Sequence, residues 1–231
     1  MPKNNFSEKE MEVQEKNALS SFSRRKFLGY AGAATGVMAF TLACKKDKKD
    51  DGVNLGSGDV GILNYAYALE QLEAAFYVRV ASSFYSGITA TETSYLSDIR
   101  DHEVAHREFF KAALGTNAIQ ALEVDFSSIN FASRDSVLGT AKAFEDLGVS
   151  AYNGAGKLLV SPDYLTLAGK IVSVEARHAA LIRELIALNT FGDSTAVDGT
   201  GLDLVRTPAQ VLAAADTYIV TKINASNLPT S

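Results

Sequence analysis

Two short strings in the chain share one spacing, Glu103-Val104-Ala105-His106 and Glu175-Ala176-Arg177-His178. On an α-helix, residues three apart lie on one face, so each string aims a carboxylate and an imidazole at the same spot. Two such helices face to face would offer two carboxylates and two imidazoles, a donor set that suits a first-row transition metal better than calcium or magnesium. Coincidence is a weak explanation. The chain has only three histidines, and with Glu at roughly 6% of positions, finding Glu at −3 for two of the three has a probability of ~1%.

The rest of the composition narrows what else could hold a metal. A single cysteine in 231 residues excludes an intramolecular disulfide and a thiolate cluster, leaving carboxylates and histidines as donors. A net charge of −5, a pI near 5.3 and the lack of any basic stripe exclude nucleic acid as a partner. The length accommodates one well-cored domain and a leader.

Residues 1–44 read as an export signal. Ser23-Arg24-Arg25-Lys26-Phe27-Leu28 precedes an apolar run from Phe27 to Ala43, the length of a signal core and short for a membrane span. The string SRRKFL resembles the twin-arginine signal, whose pathway exports folded proteins and therefore suits a chain already holding a metal; a general secretory signal is the alternative. The run ends at Thr41-Leu42-Ala43-Cys44, which resembles a lipoprotein cleavage box, although Leu42 is one place nearer the cysteine than usual. This reading puts a lipid on Cys44 and the protein in the periplasm or cell envelope, membrane-associated through that anchor. The plain alternative is a buried or incidental cysteine. The charged and then Gly/Ser-rich residues 45–58 read as a flexible tether.

The remainder is predicted to be all-α. Asp59 is a candidate N-cap for a first helix over about 60–85, and Thr91 or Thr93 for a second ending at Leu114-Gly115. Leu96, Ile99, Glu103, His106, Phe110 and Ala113 then share a face, on which the Glu and His are anomalous. Residues 116–132 show no period and read as a long connection. Ser133 caps a third helix to about Leu159, Ser161-Pro162 opens a fourth over about 162–189, and Thr207-Pro208 opens a short fifth to about Val220. Two short loops and one long connection between four long helices is a four-helix bundle with one crossover. Residues 59–189 form the bundle, and 190–231 a C-terminal loop and short helix.

The bundle also reads as a repeat of two helix pairs. Glu70 precedes Tyr77, and Glu145 precedes Tyr152, at equal spacing; Glu103 and Glu175 follow in the partner helices. With the strings LEQLEAAFY, AFEDLGVSAYNGA and SVEARHAAL, the chain resembles the ferritin-like superfamily of di-iron and di-manganese carboxylate proteins, whose general ligand pattern is well known. Within it, the chain resembles the envelope branch that includes desiccation-related proteins. The resemblance implies Glu70 and Glu145 as terminal carboxylates, Glu103 and Glu175 as bridging ones, and His106 and His178 as nitrogen ligands. Glu73, three residues from Glu70, is the alternative to it or a supporting group. Tyr77 and Tyr152 are expected either to hydrogen-bond ligating carboxylates or to serve as ordinary core tyrosines. His102, adjacent to Glu103, is expected to point off the metal face, to solvent or a neighbouring helix.

Four carboxylates would offset the charge of two divalent cations; without metal they would repel and raise one another's pKa. On that ground Glu175→Gln is expected to leave the metal-free chain no less stable. The implied function is that of a di-metal redox protein holding two Fe ions, with Mn as the alternative. Its partners would be O2 or peroxide, or Fe(II). A catalase-like di-manganese enzyme and a non-enzymatic protective or structural protein are the rivals. A homodimer is left open.

Overall fold

The computed structural model describes residues 52–230; the stretch expected to be an export signal, Cys44 and the first part of the expected tether lie outside them. Four long helices dominate: α1 (Gly58–Ser82), α2 (Ala90–Leu114), α3 (Arg134–Gly156) and α4 (Pro162–Ile186). A short α5 (Pro208–Ala215) follows, and two-residue strands β1 (Val53–Asn54) and β2 (Ile223–Asn224) pair in parallel. α1 packs along α2, α3 along α4, and α1 touches α3. The crossover runs from α2 to α3. Among the described residues no helix is long and apolar enough to cross a membrane.

Helix ends follow the punctuation of the chain, with informative exceptions. Ser133 and Ser161 cap α3 and α4 as expected, their hydroxyls accepting from Ser136 and Tyr164 N–H. α2 starts earlier than Thr91 or Thr93 suggested: Thr89 and Glu92 form a capping box, each satisfying the other's backbone N–H. Asp59 is not the cap of α1, because Ser57 occupies that position. The Asp59 carboxylate instead accepts from the Val160 and Ser161 N–H groups, tying the first turn of α1 to the α3–α4 loop. α5 stops at Ala215, short of Val220, because the β-branched pair Ile219 and Val220 turns to the crossover: Ile219 bridges Val124, and Val220 N–H donates to Glu123.

The tether also ends sooner than its composition suggested. Val53 and Leu55 donate backbone N–H groups to Lys222 and Asn224, and Leu55 is fully buried. The partner edge, β2, lies at the far end of the sequence, where no local pattern could announce it.

α1 is buried on nearly every side, so it lacks the one-faced pattern of a surface helix. Asn64 and Gln71, two turns apart, explain how polar residues survive there. Asn64 Nδ2 donates to the Leu55 and Asn117 carbonyls while its Oδ1 accepts from Ile119 N–H. Gln71 Oε1 accepts from Leu122 N–H. These side chains satisfy the backbone of an aperiodic crossover, which would otherwise strand buried polar groups against α1. Below them Phe76 meets Phe144, Phe126 and Phe131 at centroid distances of 5.2–6.0 Å, welding the crossover to α1 and α3.

Two arginines fasten the ends. Arg134 donates to Glu92 Oε1 and to the Leu185 carbonyl, joining α2, α3 and α4. Arg183, whose side chain is fully buried, grips Asp146 of α3 with two bonds and reaches Asp193 and Thr195 in the following loop.

Candidate metal centre

The four long helices bring six side chains to one buried spot: Glu70 from α1, Glu103 and His106 from α2, Glu145 from α3, Glu175 and His178 from α4. They form two overlapping sets. Glu70, Glu103, His106 and Glu175 each offer a donor atom within 4.8 Å of the others, and so do Glu103, Glu145, Glu175 and His178. Glu103 and Glu175 belong to both sets. The contacts repeat under exchange of the helix pairs. His106 Nδ1 lies 2.8 Å from Glu175 and 3.5 Å from Glu70; His178 Nδ1 lies 2.9 Å from Glu103 and 3.4 Å from Glu145.

Close as they are, these contacts lack the alignment of hydrogen bonds. Both Nδ1 atoms, both oxygens of Glu103 and of Glu175, and one oxygen each of Glu70 and Glu145 are buried without a hydrogen-bond partner. Buried polar atoms are rarely left so, and here they gather in two sets whose members lie within 4.8 Å of one another. Nitrogen and carboxylate donors arranged this way fit a pair of first-row metal ions.

Glu145 and Glu70 are each held by a tyrosine from the opposite helix. Tyr77 of α1 donates its hydroxyl to Glu145 of α3, and Tyr152 of α3 donates to Glu70 of α1, each crossing to the opposite helix. Burial and the neighbouring Glu145 charge push the Tyr77 hydroxyl well above its usual range; burial and Glu70 do the same to Tyr152. Both therefore remain proton donors.

Without metal, the electrostatics are uneven. Burial raises Glu103 to about 8 and Glu145 to about 7, with the Glu175 charge adding to the rise in each. Glu70 rises for the same reasons. Burial works against Glu175 too, yet His106 and His178 outweigh it and bring its carboxyl down to about 2. Burial disfavours both imidazolium ions, but the surrounding carboxylates raise His106 and His178 to about 12.

Glu73 belongs to neither donor set. It is buried, with one oxygen unpartnered, and burial followed by the charges of Glu175, Glu103, Glu145 and Glu70 raises its pKa well above the usual range. Under the helix-pair repeat its counterpart is Gly148, where an added Cβ would come within 3.0 Å of Glu73 Oε1. The missing side chain on α3 makes room for the extra carboxylate on α1.

Between α2 and α4 a cleft of about 390 Å³ opens over the two histidines, walled by Tyr95, Ile99, Val174 and Leu181 with Asp98 and Arg177 at hand. His102 stands in this cleft and reaches the neighbouring helix, with its Nδ1 2.9 Å from His178 Nε2. Adjacency to Glu103 correctly puts it outside the donor sets but gives no hint that it touches one of their members. The signal was available in the repeat, where Val174 occupies the position equivalent to His102.

Residues 58–188 match the family model described as a ferritin-like domain. No curated protein matches the chain.

Proposed function

The chain belongs to the ferritin-like domain family, and from that premise we propose that it is a di-iron carboxylate redox protein that reacts with O2 or peroxide and oxidises Fe(II). The observation that carries this reading is the pair of overlapping donor sets, whose buried, unpartnered atoms converge from four helices. Bound iron would supply the electrons that reduce the oxidant. Glu103 and Glu175 would bridge the two positions, Glu70 and Glu145 would close the ends, and His106 and His178 would each give one Nδ1. Four ionised carboxylates match the charge of two divalent ions, removing the repulsion that burial otherwise magnifies.

The remaining residues orient and screen. Tyr77 and Tyr152 fix the terminal carboxylates by their hydroxyls, leaving the second oxygen of each turned to the centre. Ile99, Val174 and Leu181 line an approach wide enough for a small oxidant while keeping the walls apolar. His106 and His178 would each give up the Nδ1 proton if that nitrogen held a metal. The leader SRRKFL and Cys44 support export and lipid anchoring, so the reaction belongs in the cell envelope.

The test is metal analysis of protein purified from its host without chelators, coupled with near-ultraviolet spectroscopy. Two irons per chain, with an absorption band that fades on reduction and returns in air, is the expected result. Less than one transition metal per chain would defeat the proposal. Manganese with peroxide dismutation would keep the centre and reassign its metal and reaction.

A further inference from the structure

The repeat relating α1–α2 to α3–α4 pairs Glu70 with Glu145, Tyr77 with Tyr152, Glu103 with Glu175 and His106 with His178. It fails beside the histidines. Behind His178 stands His102, whereas the equivalent residue behind His106 is Val174, which has no hydrogen-bonding side chain. Both imidazoles line the α2–α4 cleft, but His178 is the more deeply buried: its side chain is 5% exposed against 14% for His106.

The His102–His178 contact has the geometry of a directed bond. The nitrogens are 2.9 Å apart, the ring planes agree within 8°, and the centroids are 5.2 Å apart. That separation is what two rings joined edge to edge require, one N···N distance plus a ring radius on each side, so the pair is bonded in plane rather than stacked face to face. Its polarity follows from the metal side. If His178 offers the Nδ1 lone pair to a metal, its proton is on Nε2 and is donated to His102 Nδ1, which sets the tautomers of both rings.

We propose that His102 makes the two metal positions unequal. By fixing the plane and tautomer of His178, it makes the set Glu103, Glu145, Glu175 and His178 the tighter position, filled first and released last. The set Glu70, Glu103, Glu175 and His106, where the repeat places Val174 instead of a second histidine, is the weaker and exchangeable position. His102 is thus a positioning residue, and the inference rests on the di-metal reading above.

The experiment is anaerobic calorimetric titration of metal-free full-length protein with Fe(II), repeated with Mn(II) followed by electron paramagnetic resonance. Wild type is expected to bind two metals in two resolved steps. His102→Ala should weaken the tight step by about 10–100-fold, the usual loss when a partner behind a ligating histidine is removed, while leaving the weak step and the total of two unchanged. His102→Asn, whose amide oxygen can accept the Nε2 proton, should recover part of the loss. Val174→His should tighten the weak step, a gain that general destabilisation cannot produce. If His102→Ala weakens both steps alike or neither, or Val174→His leaves the weak step unmoved, the inequality does not come from His102. If wild type binds two metals with indistinguishable affinity, this inference falls and the di-metal reading stands. If it binds none, both fall.

Discussion

The charge pattern of the centre reverses the expectation that a bridging carboxylate can be neutralised without cost to the metal-free protein. Glu175 is the one carboxylate of the six-residue cluster that is strongly ionised, because His106 Nδ1 lies 2.8 Å from one oxygen and His178 Nδ1 3.7 Å from the other. Glu175→Gln keeps the shape and removes the charge both imidazolium ions face. The carboxyl is displaced from 4.5 to about 2, and at ~1.4 kcal/mol for each pKa unit the substitution should cost about 3 kcal/mol, at the low end of the ~3–5 kcal/mol typical of breaking a buried ion pair. The imidazolium side of the same contacts would give a larger figure, because each ring also faces other carboxylates; the carboxylate side isolates what Gln removes.

The sign fixes a pH signature. A carboxyl depressed on folding adds stability above its unfolded pKa and loses it as pH falls through the folded value. The deficit of Glu175→Gln should therefore be complete above about pH 5, shrink below it and nearly vanish near pH 2. Urea unfolding in chelator across that range, followed by circular dichroism, measures it. A metal-free variant as stable as wild type at neutral pH would show that mutual repulsion, not the imidazolium contacts, governs the site.

Four further outcomes are expected. Because the metal-free imidazoles are raised to about 12, metal uptake at neutral pH must release protons from both, so loading with Fe(II) should acidify a weakly buffered solution and affinity should rise with pH; proton-neutral uptake would contradict this. Glu73→Gln should stabilise the metal-free protein at neutral pH and not at acid pH, since a carboxyl raised on folding contributes at low pH and loses that contribution as pH climbs; a melting series shows it. Tyr77→Phe or Tyr152→Phe leaves a carboxylate oxygen buried and unpartnered, which should cost about 1–3 kcal/mol in unfolding measurements and loosen metal binding, whereas an unchanged variant would reduce these tyrosines to core filler. Cys44→Ser should move the protein out of the membrane fraction, and Arg24→Lys with Arg25→Lys should block its export; unaltered fractionation of either would remove the corresponding part of the leader reading.

The four helices and their polar anomalies were legible because they depend on local chemistry. Glu103 and His106, or Glu175 and His178, disturb an apolar face at helical spacing whatever the rest of the chain does. What escaped was non-local. The crossover shows no period because its backbone is satisfied by Asn64 and Gln71 of α1, about 50 residues away. Val53 and Leu55 look like tether until β2 supplies an edge. Nothing local to α4 marks Arg183 as buried; its partners Asp193 and Thr195 lie in the loop that follows the helix, and Asp146 lies on α3. The start of α2 was misplaced for a local reason: several threonines follow one another, and only Thr89 has a glutamate three residues on.

Each donor set borrows one carboxylate from across the repeat: the first takes Glu175 from α4, the second Glu103 from α2. Neither helix hairpin alone can complete a donor set, so the cluster forms only when the hairpins close on each other, and a metal held there would clasp one hairpin to the other. Two identical hairpins could build the same centre as a symmetric pair, but its two positions would then be obliged to match. Joining the hairpins in one chain lifts that obligation. Substitutions such as His102 against Val174, or Glu73 against Gly148, can then give the halves of one centre separate duties.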